Sequence, residues 1–329
     1  MKAKHTLLKS AAAILALTIA GPAAAQTNKP VPVVATFSIL GDMVERIGSE
    51  HVAVTTLVGP DGDAHVYQPT PADARAVSNA KVLVVNGLEF EGWLDRLIDA
   101  SDFNGIRAKA TDGIKPIAFE EGDDHEKHDD HAKHDDKKHD DHEKHDDHDD
   151  QHHGAFDPHA WQSLRNAVIY VDNITATLSK ADPSNAAAFY MNRAAYVAEI
   201  EALDADIRAI VAKLPADRRT IVTSHDAFQY FGHEYRLTFL APQGLSTESE
   251  ASAKDIAHLI EQMREQKISA VFIENISDPR LLKQIASETG AAIGGTLYPG
   301  ALSGPDGPAP TYLDMMRHNA MALAQALGS

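Results

Sequence analysis

Residues 183–214 read PSNAAAFYMNRAAYVAEIEALDADIRAIVAKL, and the reading of this stretch decides the fold. It is Ala-rich, and Pro183, Ser184 and Asn185 suit a helix start. At 1.5 Å per residue it predicts a helix of roughly 45 Å, longer than one lobe of an α/β domain needs. A helix of that length in mid-chain reads as a rigid strut between two lobes; the alternative is a helix packed wholly inside one domain.

On both sides of the strut the pattern alternates between short β-branched runs and helical segments. Before it, strands are predicted at Val31–Thr36, Val52–Val58 and Lys81–Asn86, with helices at Ile39–Ile47, Pro69–Ala80, Glu91–Ala100 and from Trp161 onward. After it, strands are predicted at Thr220–Thr223, Thr238–Leu240, Ala270–Glu274 and Ala292–Leu297. Helices there are Ala227–His233, Ala253–Gln266, Pro279–Glu288 and Tyr312–Leu327. Strands alternating with helices imply parallel sheets covered on both faces, with ligands at the carboxyl ends of the strands. The expected architecture is α/β: two Rossmann-like lobes, 26–182 and 215–329, joined by the helix 183–214, with a site in the cleft between them.

Residues 1–25 read as a cleaved secretory signal. Lys2, Lys4 and Lys9 form the positive end, Ala11–Ala20 the apolar segment, and Ala23–Ala25 suit cleavage before Gln26. The apolar run is too short to span a bilayer. The chain has no cysteine, which excludes disulfides, thiolate metal sites, Cys nucleophiles and the lipid-attachment thiol of many exported bacterial proteins. The expectation is a periplasmic monomer that is not lipid-anchored. Formal charge is −18 over the 329 residues, a balance that disfavours nucleic acid and anionic membranes and favours cations.

Much of that charge sits between Glu120 and His153, where the chain reads EEGDDHEKHDDHAKHDDKKHDDHEKHDDHDDQHH. Ten of the eighteen histidines lie here. With no apolar residue beyond Ala132 the tract cannot offset its ordering entropy, so it is expected to be a disordered loop. Imidazole and carboxylate together point to a borderline divalent metal, Zn(II) ahead of Ni(II) or Cu(II); the alternative is a merely solvated acidic linker.

Three histidines outside the tract follow strands or Pro turns. His65 lies in GDAHVYQPTPAD after the strand Val52–Val58, His159 in FDPHAW, and His225 in TSHDAFQYFG at the end of Thr220–Thr223. A lone histidine is most simply a hydrogen-bonded structural group. Three in equivalent loop positions can supply three nitrogens of a four-coordinate zinc site. His233, His258 and His318 lie within predicted helices and read as structural or exposed, and Trp93 and Trp161 as core or lobe-packing residues.

The ordered series DAHVYQPTPAD, NGLEFEGWLDRL, a His-rich insert, DPHAW, TSHDAFQYF and GPAPTYLDMMRHN resembles the cluster A-I solute-binding proteins, which deliver Zn(II) or Mn(II) to ABC transporters. The resemblance spans essentially the whole chain after residue 26. It implies two α/β lobes on one long helix, metal in the cleft, His65, His159 and His225 as ligands, and a transmembrane permease as partner. A His-rich insert before the second ligand resembles the zinc branch. One departure stands out. Many members carry an Asp or Glu ligand in a segment resembling LYxDAL, whereas this chain has Leu297-Tyr298-Pro299-Gly300-Ala301-Leu302. The fourth position then falls to Asp306, to water, or to a tract histidine.

Three imidazoles suit Zn(II), while Mn(II) favours a site richer in oxygen. Asp157, Asp226 and Glu274 are candidates to orient the ligand rings. The reading is therefore a zinc-capture protein, not an enzyme, whose tract gathers metal near the cleft and offers a dock for a periplasmic metallochaperone. The alternatives are a zinc hydrolase, a metal buffer, or an Mn(II)-binding transporter component. Against hydrolysis, the chain has no HExxH, Gly-x-Ser-x-Gly or Walker loop.

Overall fold

The computed structural model describes residues 29–118, 156–248 and 250–328. The expected signal at 1–25 and the His-rich tract at 120–153 lie outside the described residues.

Two four-stranded parallel sheets form the molecule. The first contains β1 (Val31–Phe37), β2 (Val52–Val58), β3 (Val82–Val85) and β4 (Ile106–Lys109) in the order β2-β1-β3-β4. The second contains β5 (Thr220–Val222), β6 (Thr238–Leu240), β7 (Ala270–Glu274) and β8 (Ala292–Leu297) in the order β6-β5-β7-β8. Strand order reverses direction beside β1 in one sheet and beside β5 in the other. These switch points open crevices at the carboxyl ends of the strands, where ligands of such sheets bind. β1 and β3 read as near-continuous apolar runs, VPVVATF and VLVV, because both faces of a central parallel strand are covered.

Helices in the first half are α1 (Ser38–Gly48), α2 (Pro71–Asn79), α3 (Leu94–Ser101) and α4 (Leu164–Ala181). The predicted strut is shorter than its sequence suggested. Pro183–Asn185 form a separate 3-10 turn, started by the Asp182 carboxylate, which accepts the Ser184 N–H. The helix itself, α5, runs Ala186–Val211, or about 39 Å at 1.5 Å per residue. It buries Phe189, Tyr196, Ile200, Leu203, Ile207 and Val211, a stripe at helical spacing. That stripe serves both halves, since α5 packs against α1 and α4 and also against α6 (Gln229–Tyr235) and the final helix. The second half is completed by α7 (Ala253–Glu265), α8 (Arg280–Thr289) and that final helix, α9 (Tyr312–Leu327).

One hydrophobic core runs unbroken from Val31 and Phe37 through Tyr196 and Leu203 to Phe272, Met315 and Leu327. A smaller cluster under α7 and α8 holds Leu259, Met263 and Ile285 against Val222 and Val271. The two lobes are therefore joined by a long helix and by shared packing. The strand β4 was not anticipated: its four residues, IRAK, include two cations and an exposed–buried alternation too short to register.

Candidate metal centre

His65 sits in the loop between β2 and α2. That loop is pinned at its far end by a capping box, in which Thr70 accepts the Asp73 N–H and Asp73 accepts the Thr70 N–H, with Pro71 starting the helix. Nearer the ligand, the Trp93 indole donates to the Ala64 carbonyl at 2.7 Å. His159 sits before α4, after Asp157-Pro158, and His225 follows β5. Two ligand candidates thus precede α5 and one follows it.

The three rings converge. Their centroids lie 5.2 Å (His65–His159), 5.4 Å (His159–His225) and 5.7 Å (His65–His225) apart. One ligand atom from each lies within 4.8 Å of the others. The Nε2 atoms of His65 and His159 are 3.2 Å apart, close to the roughly 3.3 Å that tetrahedral ligation at about 2.0–2.1 Å requires. His159 and His225 are fully buried, and His65 is half-buried on the solvent side.

Carboxylates set the rings. Asp157 Oδ1 accepts the His159 backbone N–H and faces its Nδ1, both at 2.8 Å. Glu274, at the end of β7, faces His225 Nδ1 through Oε2 at 2.6 Å. Its Oε1 accepts the backbone N–H groups of Ser224 and His225. A proton held on Nδ1 by a carboxylate leaves the Nε2 lone pair pointing inward. His225 Nε2 is buried with no hydrogen-bond partner among the described residues, which fits a nitrogen meant for a cation. Asp226, the other candidate for orienting a ring, instead accepts from Gln229.

Burial holds the His65 and His159 imidazoles well below their usual pKa, and neighbouring imidazole adds to it. Burial also pulls on His225, but the Glu274 carboxylate outweighs it and the net shift is upward. Burial pushes the Asp157 carboxyl up to about 7. The site holds two imidazoles that stay neutral and a third with a carboxylate against it.

The walls come from residues whose role the sequence did not disclose. Phe90 lies edge-on to His65 at 4.7 Å, and Trp161 to His159 at 5.3 Å. Trp161 also donates to the Pro299 carbonyl across the cleft. The NGLEFE turn is held by buried Glu91, which accepts from Thr36 Oγ1 and the N–H groups of Asn86 and Gly87. Gly87, Leu88 and Glu89 all take positive φ there, and the turn delivers Phe90 to the site. Asn86 donates to the Pro158 carbonyl and so fixes the His159 loop. The run NGLEFEGW carried a signal, two acids and two aromatics around a glycine turn.

Asp306 is not brought to the imidazoles. It is exposed in the turn after Gly304, outside the cluster. Gly300 is buried, and a Cβ there would meet Trp161 at 3.7 Å and Ile276 at 3.9 Å, ordinary contacts that do not force a glycine.

Two parallel-sheet lobes on a shared helix, with an imidazole cluster between them, define a metal-binding solute-binding component. The chain belongs to the family described as ZnuA, zinc-uptake complex component A, periplasmic, whose model matches residues 33–326. It is 32% identical to the iron-binding protein YfeA of Yersinia pestis over 92% of this chain and 88% of that one. It is also 32% identical to the manganese-binding lipoprotein MntA of Bacillus subtilis, covering 96% of each. Among solved structures it resembles the periplasmic zinc-binding protein TroA of Treponema pallidum, with a TM-score of 0.78 and 27% identity over 91% of this chain and 99% of that one. It is thus a cell-envelope, metal-binding, non-catalytic component of an ABC transporter, and family membership implies a membrane permease as its partner.

The comparison also corrects an expectation. The chain was expected to be free in the periplasm without a lipid anchor, but MntA and relatives from Halalkalibacterium and Streptococcus are named as lipoproteins. The absence of cysteine, on which that expectation leaned, removes one attachment chemistry and does not establish a freely diffusing form.

Proposed function

We propose that this protein captures Zn(II) with His65, His159 and His225 and hands it to its permease. The observation that carries this reading is the convergence of three nitrogens, two of them on rings braced by Asp157 and Glu274, with no carboxylate oxygen in the cluster among the described residues. Imidazole suits Zn(II), whereas Mn(II) prefers oxygen donors. A carboxylate behind each of two ligating rings raises their basicity and adds affinity.

A second reading, Mn(II) or Fe(II) as cargo, is favoured by the names of MntA and YfeA. Competition separates the two. The protein is equilibrated with equal Zn(II) and Mn(II), freed of excess metal, and its bound metal counted by mass spectrometry. One zinc per chain, lost in His159→Ala, is expected; manganese in the majority overturns zinc as cargo.

The His-rich tract, in the same proposal, raises the local zinc concentration near the cleft. Deleting 123–153 is expected to slow loading from dilute zinc, and unchanged loading kinetics would remove that role.

A further inference from the structure

Two of the three ligands share a local motif. Asp63-Ala64-His65 and Asp157-Pro158-His159 both place an aspartate two residues before the histidine, where its Oδ1 accepts the histidine N–H, at 2.9 Å and 2.8 Å. The motifs then diverge. Asp157 turns back on its own ring, while Asp63 reaches across the cleft, where its Oδ2 accepts the Thr247 hydroxyl at 2.6 Å. Thr247 belongs to the loop after β6, whose first residues are tied to the third ligand: Gln243 bridges to His225, and the Asp226 N–H donates to Gly244.

The same His65 loop is fastened to the second half again at Asp61, which donates its N–H to the Leu302 carbonyl and accepts from Asn275 Nδ2. These loops partition two clefts. One, of about 560 Å³, is lined by His65, Phe90, Leu245 and Ser246. The other, of about 620 Å³, is lined by Asp63, Ser224, Gln243 and Thr247. Val66 borders both. His65 is the half-buried histidine of the three and itself lines the first of these clefts.

We infer that Asp63 and Thr247 form a clasp across the cleft that holds His65 against the other two imidazoles and sets the rate of metal release. Asp63 is a positioning residue, acting through His65, and this assignment rests on metal capture by the three-histidine cluster. Opening the clasp frees the solvent-side ligand while the two buried ones stay braced. The clasp therefore governs dissociation more than association.

The test uses the full chain loaded with Zn(II) and mixed rapidly with excess chromophoric chelator. Thr247→Val removes the hydroxyl at constant shape in a half-buried loop. Loss of a hydrogen bond to a carboxylate is expected to speed release about tenfold. The association rate stays at the parent value and Thr247→Ser restores slow release, a pattern that general loosening of the fold does not give. Equal release rates in Thr247→Val and the parent overturn the clasp and leave zinc capture standing. A parent protein that holds no zinc through His159 and His225 overturns the capture reading, and the clasp with it.

Discussion

At the scale of single residues, each ring of the centre is set by one or two contacts, and these can be removed singly. Replacing Asp157 by Asn or Glu274 by Gln should weaken zinc binding about 10–100-fold with all three ligands retained, as measured by chelator competition. Proton competition has a defined sign. Metal needs an unprotonated Nε2, and Glu274 raises the His225 pKa, so below that pKa binding must expel a proton. Affinity therefore falls as pH falls, by up to about tenfold per unit, with one proton released per zinc. His65 and His159, held low by burial, add nothing to that slope; release of two or three protons would contradict the assignment. Gly300→Asp adds a carboxylate that the local packing admits. It should lower the melting temperature of the metal-free protein, recover it on loading, and raise the manganese share in the competition experiment. The three histidines that converge were legible as candidates because each stood in a loop at a strand end or Pro turn. Asp306 misled because a sequence shows an acid near the right position but not the turn that exposes it. Asp63 escaped notice because its second partner lies 184 residues away.

At the scale of elements, β2, β6, β7 and β8 begin and end as expected, although of these only β7 is a central, almost wholly buried strand and the other three are half-exposed sheet edges. The strut was recognised but its start was not, since Ser184 and Asn185 bond to Asp182 and hold a 3-10 turn ahead of α5. A contact between helices carries its own pH dependence. Asp42 on α1 accepts the Tyr312 N–H at the start of α9, and burial raises its pKa to about 6 from 3.8. The folded state thus binds this proton more tightly than the unfolded chain does. The stability from this group is present below the unfolded pKa and is lost as pH rises through about 6. Asp42→Asn should flatten that limb of a stability-against-pH curve; a curve unchanged between pH 4 and 7 would remove Asp42 from the account. On α5, Leu203→Ala deletes a buried anchor of the stripe shared by both halves. It should cost about 2–5 kcal/mol in denaturant unfolding, seen equally by probes in either half.

At the scale of the whole molecule, the two sheets are bound into one body by α5, by the packing of α9 on α1, and by the continuous core. The three proposed ligands come from both sides of α5, so a metal held by them should stabilise the entire chain: free zinc at about a thousand times its dissociation constant would contribute about 4.1 kcal/mol. Calorimetry should then show a single transition moving upward. A body with a common core does not swing open as two hinged shells do, and its X-ray scattering radius should change little between metal-free and loaded protein. The consequence falls on recognition at the membrane. If that radius holds, a permease has no gross outline by which to sort full carriers from empty ones, and the difference left to it is local, at the rim of the cleft. The proposed clasp of Asp63 and Thr247 lies at that rim, where its closing would be the part of the carrier's surface that a single ion could alter.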